Sequence, residues 1–191
     1  LLYVTYDAGV TWNLVNDLLG AGVNKIQMYN SNFGYAVCES GLFLRTLDGG
    51  NTWDIMNTYG KNRTVSLNDI VITGTGGTGI IVGDNGLIIG FSGFGATLSA
   101  PVISANWPTY SVTKQLKSIT SSGGTFYIVG QNDVSLTEHT GLILRSTDGI
   151  SWTEIPASAY NNSDQNKVRY LDNLTAVSVG DDGNMMITSN S

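Results

Sequence analysis

A handful of side chains in this sequence could do chemistry. Glu39, Asp84, Asp181 and Asp182 each stand in or beside a Gly-containing turn. Two carboxylates facing across a groove can act as acid and base on a glycosidic bond. Asp84-Asn85-Gly86 and Asp181-Asp182-Gly183-Asn184 look like fragments of a calcium loop, yet each reads more simply as a two-residue hairpin turn. His139, beside Glu138, is the single histidine, which excludes a multi-His metal site. Cys38 is the single cysteine, so an intrachain disulfide is excluded, and a nucleophilic role would require a base that one distant histidine is poorly placed to supply. Arg45 and Arg145 recur at one place in two repeats, where pairing between neighbouring units explains them better than an anion site. No catalytic residue, metal or cofactor is expected.

A second group is suited to recognition. Tyr59, Arg63, Trp107, Tyr110 and Tyr160 lie among Lys61, Lys114 and Lys167 in polar stretches between apolar runs. Aromatic rings among polar groups fit a glycan or a protein partner. These five are the candidate binding residues.

The elements that must position them repeat. Gly41-Leu-Phe-Leu-Arg-Thr46, Gly86-Leu-Ile-Ile-Gly-Phe91, Gly141-Leu-Ile-Leu-Arg-Ser146 and Gly183-Asn-Met-Met-Ile-Thr188 are one strand written four times, and Leu1 to Thr5 is its tail. Upstream of each Gly lies an apolar strand ending in a small residue, at Cys38, Gly83, Gly130 and Gly180, and another strand precedes that. Downstream come Asp7-x-Gly9-x-Thr11-Trp12 and Asp48-x-Gly50-x-Thr52-Trp53, then a shorter version, Asp148-Gly149-Ile150-Ser151-Trp152. Gly93 to Leu98 keeps the Gly and Thr but loses the Asp and Trp.

The residue types suit a hairpin. The Asp carboxylate accepts turn N–H groups, Gly supplies positive φ, the hydroxyl adds a local bond and Trp opens the next strand as an apolar anchor. Each unit is thus four strands, A to D, with this hairpin joining C to D. Four-stranded units recurring every 40 to 50 residues or so predict an all-β fold, a β-propeller of four-stranded antiparallel blades. The expected division is a partial blade 1–22, blades 23–66, 67–114 and 115–166, and a partial blade 167–191, all in one domain that continues into further blades or other subunits.

These hairpins resemble the Asp-box, or bacterial neuraminidase repeat, family, and Gly34 to Trp53 is most similar to repeats of photosystem II assembly and stability factors. The resemblance implies a propeller and assigns structural roles to Asp7, Gly9, Thr11, Trp12, Asp48, Gly50, Thr52, Trp53, Asp148, Gly149, Ser151 and Trp152, remote from any chemistry. With this strand order the A–B and C–D turns share one face. The D–A connections (15–23, 56–66, 106–114 and 157–167) and the B–C turns share the other, where binding is expected.

Composition narrows the function. A net charge of −6 with nine scattered basic residues excludes a nucleic-acid surface. The uncharged stretch 85–113 is broken by glycines and by Pro101 and Pro108, so strands are expected there and no membrane span. The leading expectation is a non-catalytic structural or recognition module of a secreted, cell-surface or virion protein. Alternatives are a photosystem-type assembly factor binding a membrane-protein partner, or a sialidase- or xyloglucanase-like fragment. With four Arg and three Glu, and no Arg-Ile-Pro-type signature, the chain lacks the residue set of a complete sialidase site. Sequons at Asn62, Asn161 and Asn173 are as many as this composition gives by chance.

Overall fold

Tight turns between short apolar runs pair each strand with its neighbour in sequence, and the result is a series of antiparallel meanders. The computed structural model describes residues 2–16, 21–58, 65–75, 77–95, 97–98, 114–133, 139–156 and 162–188. The first sheet is β1 (Leu2–Val4) with β2 (Asn13–Asn16). The second runs β3 (Val23–Met28), β4 (Gly34–Cys38), β5 (Leu42–Thr46) and β6 (Asp54–Thr58). The third runs β7 (Leu67–Thr73), β8 (Thr78–Gly83), β9 (Ile88–Ser92) and β10 (Thr97–Leu98). The fourth runs β11 (Lys114–Ser122), β12 (Thr125–Asp133), β13 (His139–Ser146) and β14 (Thr153–Glu154). The fifth is β15 (Gln165–Tyr170), β16 (Ala176–Gly180) and β17 (Met185–Thr188). No described helix is long and apolar enough to cross a membrane.

Middle strands are packed on both faces: every residue of β4 is buried. Four apolar clusters lie between successive sheets. Leu2 meets Leu44 and Trp53; Tyr35 and Phe43 meet Ile81 and Phe91; Ile80 and Val82 meet Ile128 and Trp152; Val129 and Ile143 meet Val168 and Ala176. Alternate residues of one strand therefore serve opposite neighbours. Ala36 faces the first sheet, while Tyr35 and Val37 face the third.

The B–C turns are two-residue type I′ hairpins, as their sequences suggest. Ser40, Asn85 and Asp182 take φ of 56° to 58°, each followed by a glycine at +67° to +72°. In the fourth sheet the extra residues at this turn lengthen the ladder, adding Asn132↔Thr140 and Asp133↔His139.

Candidate functional site

The Asp-x-Gly hairpins are closed on themselves. Asp48 accepts the Thr52 N–H at 2.9 Å, the Thr52 hydroxyl at 2.7 Å and the Thr46 hydroxyl at 2.9 Å; Trp53 Nε1 donates to the Gly50 carbonyl at 3.1 Å. The Asp7 hairpin repeats this, down to Trp12 Nε1 on the Gly9 carbonyl at 3.1 Å. Asp148 accepts the Ser151 N–H at 2.7 Å, the Ile150 N–H at 2.8 Å and the Ser146 hydroxyl at 2.9 Å. Those donors hold its carboxyl down to about 2, the Ser151 and Ile150 N–H groups contributing most. The hydroxyl two residues before each Asp also ties down the turn, as Thr46 Oγ1 does for the Gly50 N–H at 2.8 Å. That Ser/Thr-x-Asp pattern was legible at Thr5, Thr46 and Ser146 and is an addition to the motif.

Trp53 and Trp152 are buried, at 8% and 5% exposure, but Trp12 is 60% exposed. Trp12 is therefore not the packed anchor that its motif predicts. Trp53 and Trp152 each pack onto the sheet before their own, whereas no described sheet precedes that of Trp12.

At the opposite end of the sheets the inner strands carry a feature that the sequence reading passed over. β3, β7, β11 and β15 each break register at the same place, bulging at Asn24, Asn68, Lys117 and Asn166. The bulged side chains stitch one sheet to the next. Asn24 Nδ2 donates to the Leu67 carbonyl, Asn68 Nδ2 to the Leu116 carbonyl, each at 2.9 Å, and Lys117 Nζ to Asn166 Oδ1 at 2.9 Å. The residues that follow, Lys25, Asp69, Ser118 and Lys167, converge from four sheets.

Asp69 is the hub. Its side chain has no exposed surface, and it accepts the Ser118 hydroxyl at 2.8 Å, the Lys167 ammonium at 2.9 Å and the Ile70 N–H at 2.9 Å, with Lys25 Nζ at 3.9 Å. Burial pulls the Lys25 pKa down; Asp69 opposes this, while Lys167 and Arg169 add to it. Two ammonium groups, those of Lys25 and Lys167, thus approach a single buried carboxylate.

From this hub a polar strip runs outward along the B–C turns. Asn68 bonds Asp84 at 2.8 Å, Asn166 bonds Asp181, and Lys117 lies 4.0 Å from Asp164. Burial raises the Asp164 pKa, an effect that Lys117 partly offsets. Asp133 binds His139 and Gln131 at 2.8 and 2.7 Å; burial raises its pKa, but these hydrogen bonds outweigh that and leave it lowered. The structure therefore brings Asp84, Asp181 and Lys167 onto one end with unforeseen partners, and it commits Lys114 to an ion pair with Glu154 at 3.0 Å. Tyr59, Arg63, Trp107, Tyr110 and Tyr160 lie outside the described residues. Among the described residues no group of three or more His, Cys, Asp and Glu could hold a metal ion.

A repeated polar dipeptide in otherwise apolar strands, Asn24-Lys25, Asn68-Asp69, Lys117-Ser118 and Asn166-Lys167, was the signal for this hub.

No family model matches the chain, and no curated protein does. Solved structures do. A GH74 xyloglucanase from Xanthomonas campestris superposes with a TM-score of 0.64 at 12% identity, over 88% of this chain and 28% of that one. The computationally designed Ika4 protein gives 0.60 at 7% identity, over 92% and 95%. An alpha-L-arabinanase from Penicillium chrysogenum, complexed with arabinobiose, gives 0.59 at 12% identity, over 98% and 69%. The chain is all-β, with several four-stranded antiparallel sheets, and shares its fold with β-propeller-like proteins.

Proposed function

We propose that this chain is part of a non-catalytic β-propeller of the Asp-box type, which recognises a protein or glycan partner on the face formed by its D–A connections and B–C turns. The observation that carries this reading is the hub at that end: four register-equivalent polar residues from four sheets, with Lys25 and Lys167 on the Asp69 carboxylate. At the other end the Asp48 and Asp148 carboxylates are occupied by turn donors, which supports a structural role for those hairpins. A scaffold held rigid by its hairpins, with polar and cationic groups gathered at one end, suits recognition by loops.

The test is a glycan array and a pull-down with the 191-residue chain. A captured ligand should be lost in Trp107→Ala and Tyr110→Ala while the melting temperature holds, because a truncated hot-spot aromatic typically costs about 2 kcal/mol or more of binding. Hydrolysis of sialosides or β-glucans that disappears in Asp84→Asn or Asp181→Asn would replace this reading with a glycosidase.

A further inference from the structure

Between the second and third sheets, at the Asp-x-Gly end, two half-exposed rings stand on a buried one. Phe33 is 9% exposed and packs against Tyr35. Tyr29, at the end of β3, and Phe94, in the C–D turn of the third sheet, each meet Phe33 in a T-shaped contact, with ring centres 6.3 and 5.5 Å away. Tyr29 is 46% and Phe94 51% exposed.

Phe94 holds a place that suits a residue without bulk. Its N–H donates to the Gly77 carbonyl at 3.1 Å, as the Gly49 N–H donates to the Asn32 carbonyl at 2.8 Å, so Phe94 and Gly49 are equivalent. The φ angle is +58° at Phe94 and +73° at Gly49, a region open to glycine and strained for a bulky side chain. A Cβ on Gly49 would lie 2.9 Å from the Ser31 carbonyl oxygen. The third sheet makes room with Gly77, where a built Cβ would meet Phe94 Cδ1, Cε1 and Cζ at 3.5, 3.4 and 3.4 Å. Three adjacent ring atoms at nearly equal distance mean that one face of the ring lies over Gly77, which leaves the other face open. Arg45 Nη1, from the second sheet, donates to the Phe94 carbonyl at 3.1 Å, so the backbone is tied on both sides of the ring. The turn bears backbone strain and holds a phenyl ring flat and fixed.

The size of the exposed surface selects the occupant. Aromatic side chains present about 150–250 Å² each, so two at half exposure offer about 200 Å², against about 800 Å² per partner in a stable protein–protein interface. Beside these positions in the chain Asn30, Thr78 and Ser92 are exposed and uncharged, and Arg45 is paired with Asp54 at 3.4 Å. A small neutral ligand with one flat apolar face fits. A pyranose ring has such a face: its axial C–H bonds carry partial positive charge towards the negative ring face, and its equatorial hydroxyls point out to the polar rim.

We propose that Tyr29 and Phe94 form a sugar-binding platform, which takes one pyranose unit of a neutral β-linked glycan flat against the open face of Phe94. The platform lies at the opposite end from the hub and is independent of the partner proposed there.

Saturation-transfer NMR of the 191-residue chain with cellohexaose, xylohexaose and β-1,4-galactohexaose tests it. At least one hexasaccharide should receive saturation from the aromatic protons, strongest at H1, H3 and H5 of a sugar unit. Phe94→Leu keeps an apolar side chain and loses the π face; it should bind about tenfold more weakly at an unchanged melting temperature. Phe94→Tyr keeps the π face and should bind as the wild type does. No transfer to any of the three sugars, equal affinity in Phe94→Leu, or loss of binding in Phe94→Tyr would overturn the proposal. Binding lost in Trp107→Ala and unchanged in Phe94→Leu would put the sugar at the other end, which supports the earlier reading and overturns this one. Self-association that disappears in Phe94→Leu would make the rings a protein contact and overturn it too.

Discussion

The Lys167 ammonium lies 2.9 Å from a carboxylate oxygen of Asp69, 98 residues earlier in the chain and two sheets away. This contact spans the fourth sheet, whose Ser118 hydroxyl binds the same carboxylate oxygen. The hub thus links three sheets through one buried charge. Removing the carboxylate is costly, because the buried Ser118 hydroxyl and the Ile70 and Ile119 N–H groups lose their acceptor, and Lys25 and Lys167 lose their counter-charge. Asp69→Ala should lower stability by about 3–5 kcal/mol. Asp69→Asn should cost less, since an amide oxygen can still accept the Ser118 hydroxyl. Denaturant melts check both, and a stability for Asp69→Ala within about 1 kcal/mol of the wild type would remove the hub from the account of this fold.

Beside the bulges the backbones nearly touch. A Cβ built on Gly130 would lie 1.9 Å from the Gln115 carbonyl oxygen, and on Gly83 or Gly180 it would lie 2.2 or 2.1 Å from Ser66 or Asp164. Backbone cannot swing aside as a side-chain tip can, so Gly130→Ala forces the bulge to open. The expected cost is about 1–3 kcal/mol or more, as for overpacking in a close-packed interior. Gly123→Ala, where nothing lies within 4 Å, meets only the strain of its φ of +56°. Equal melting temperatures for the two variants would contradict the close approach.

The sequence made the repeat, the strand order and the B–C turn type legible, because Gly spacing and apolar runs are local signals. It showed a small residue at Gly83, Gly130 and Gly180 without the reason, since the reason is a carbonyl contributed by Ser66, Gln115 or Asp164 at the start of the neighbouring strand. The hub was less legible still. Lys25, Asp69, Ser118 and Lys167 are ordinary polar residues until register brings four strands together, and register is a property of the folded sheets. Tyr59 and Trp107 stood out by residue type, a signal that needs no register.

Trp53 and Trp152, both buried, differ in one bond. Trp53 Nε1 reaches the Gly50 carbonyl at 3.1 Å, whereas Trp152 Nε1 is buried with no acceptor among the described residues, in a hairpin that is one residue shorter. Replacing Trp53 by Phe removes a made bond and leaves a carbonyl behind; replacing Trp152 by Phe removes an unsatisfied donor. Both variants lose volume, so the comparison isolates the hydrogen bond. Trp152→Phe should be less destabilising than Trp53→Phe by about 1 kcal/mol or more. Chemical denaturation of the pair reads this directly, and the reverse order would show that Trp152 Nε1 has an acceptor in solution.

Acid should loosen the hairpins. Asp7 and Asp148 both have their pKa lowered from 3.8 to about 2, Asp7 chiefly by the Thr11 hydroxyl and Asp148 chiefly by the Ser151 N–H. A depressed folded-state pKa means that the unfolded chain binds more protons in this window, so stability rises with pH there. The contribution is fully present above about pH 4 and is lost as the pH falls towards about 2. Both carboxylates are solvent-exposed, so salt will weaken the effect. Asp148→Asn cannot titrate at this position, so its stability should fall less steeply between pH 4 and pH 2 than that of the wild type, though it starts lower at pH 7. Denaturant midpoints measured across that range give the two slopes. Parallel slopes would mean that the Asp148 carboxylate keeps an ordinary pKa and that its turn bonds do not survive in solution.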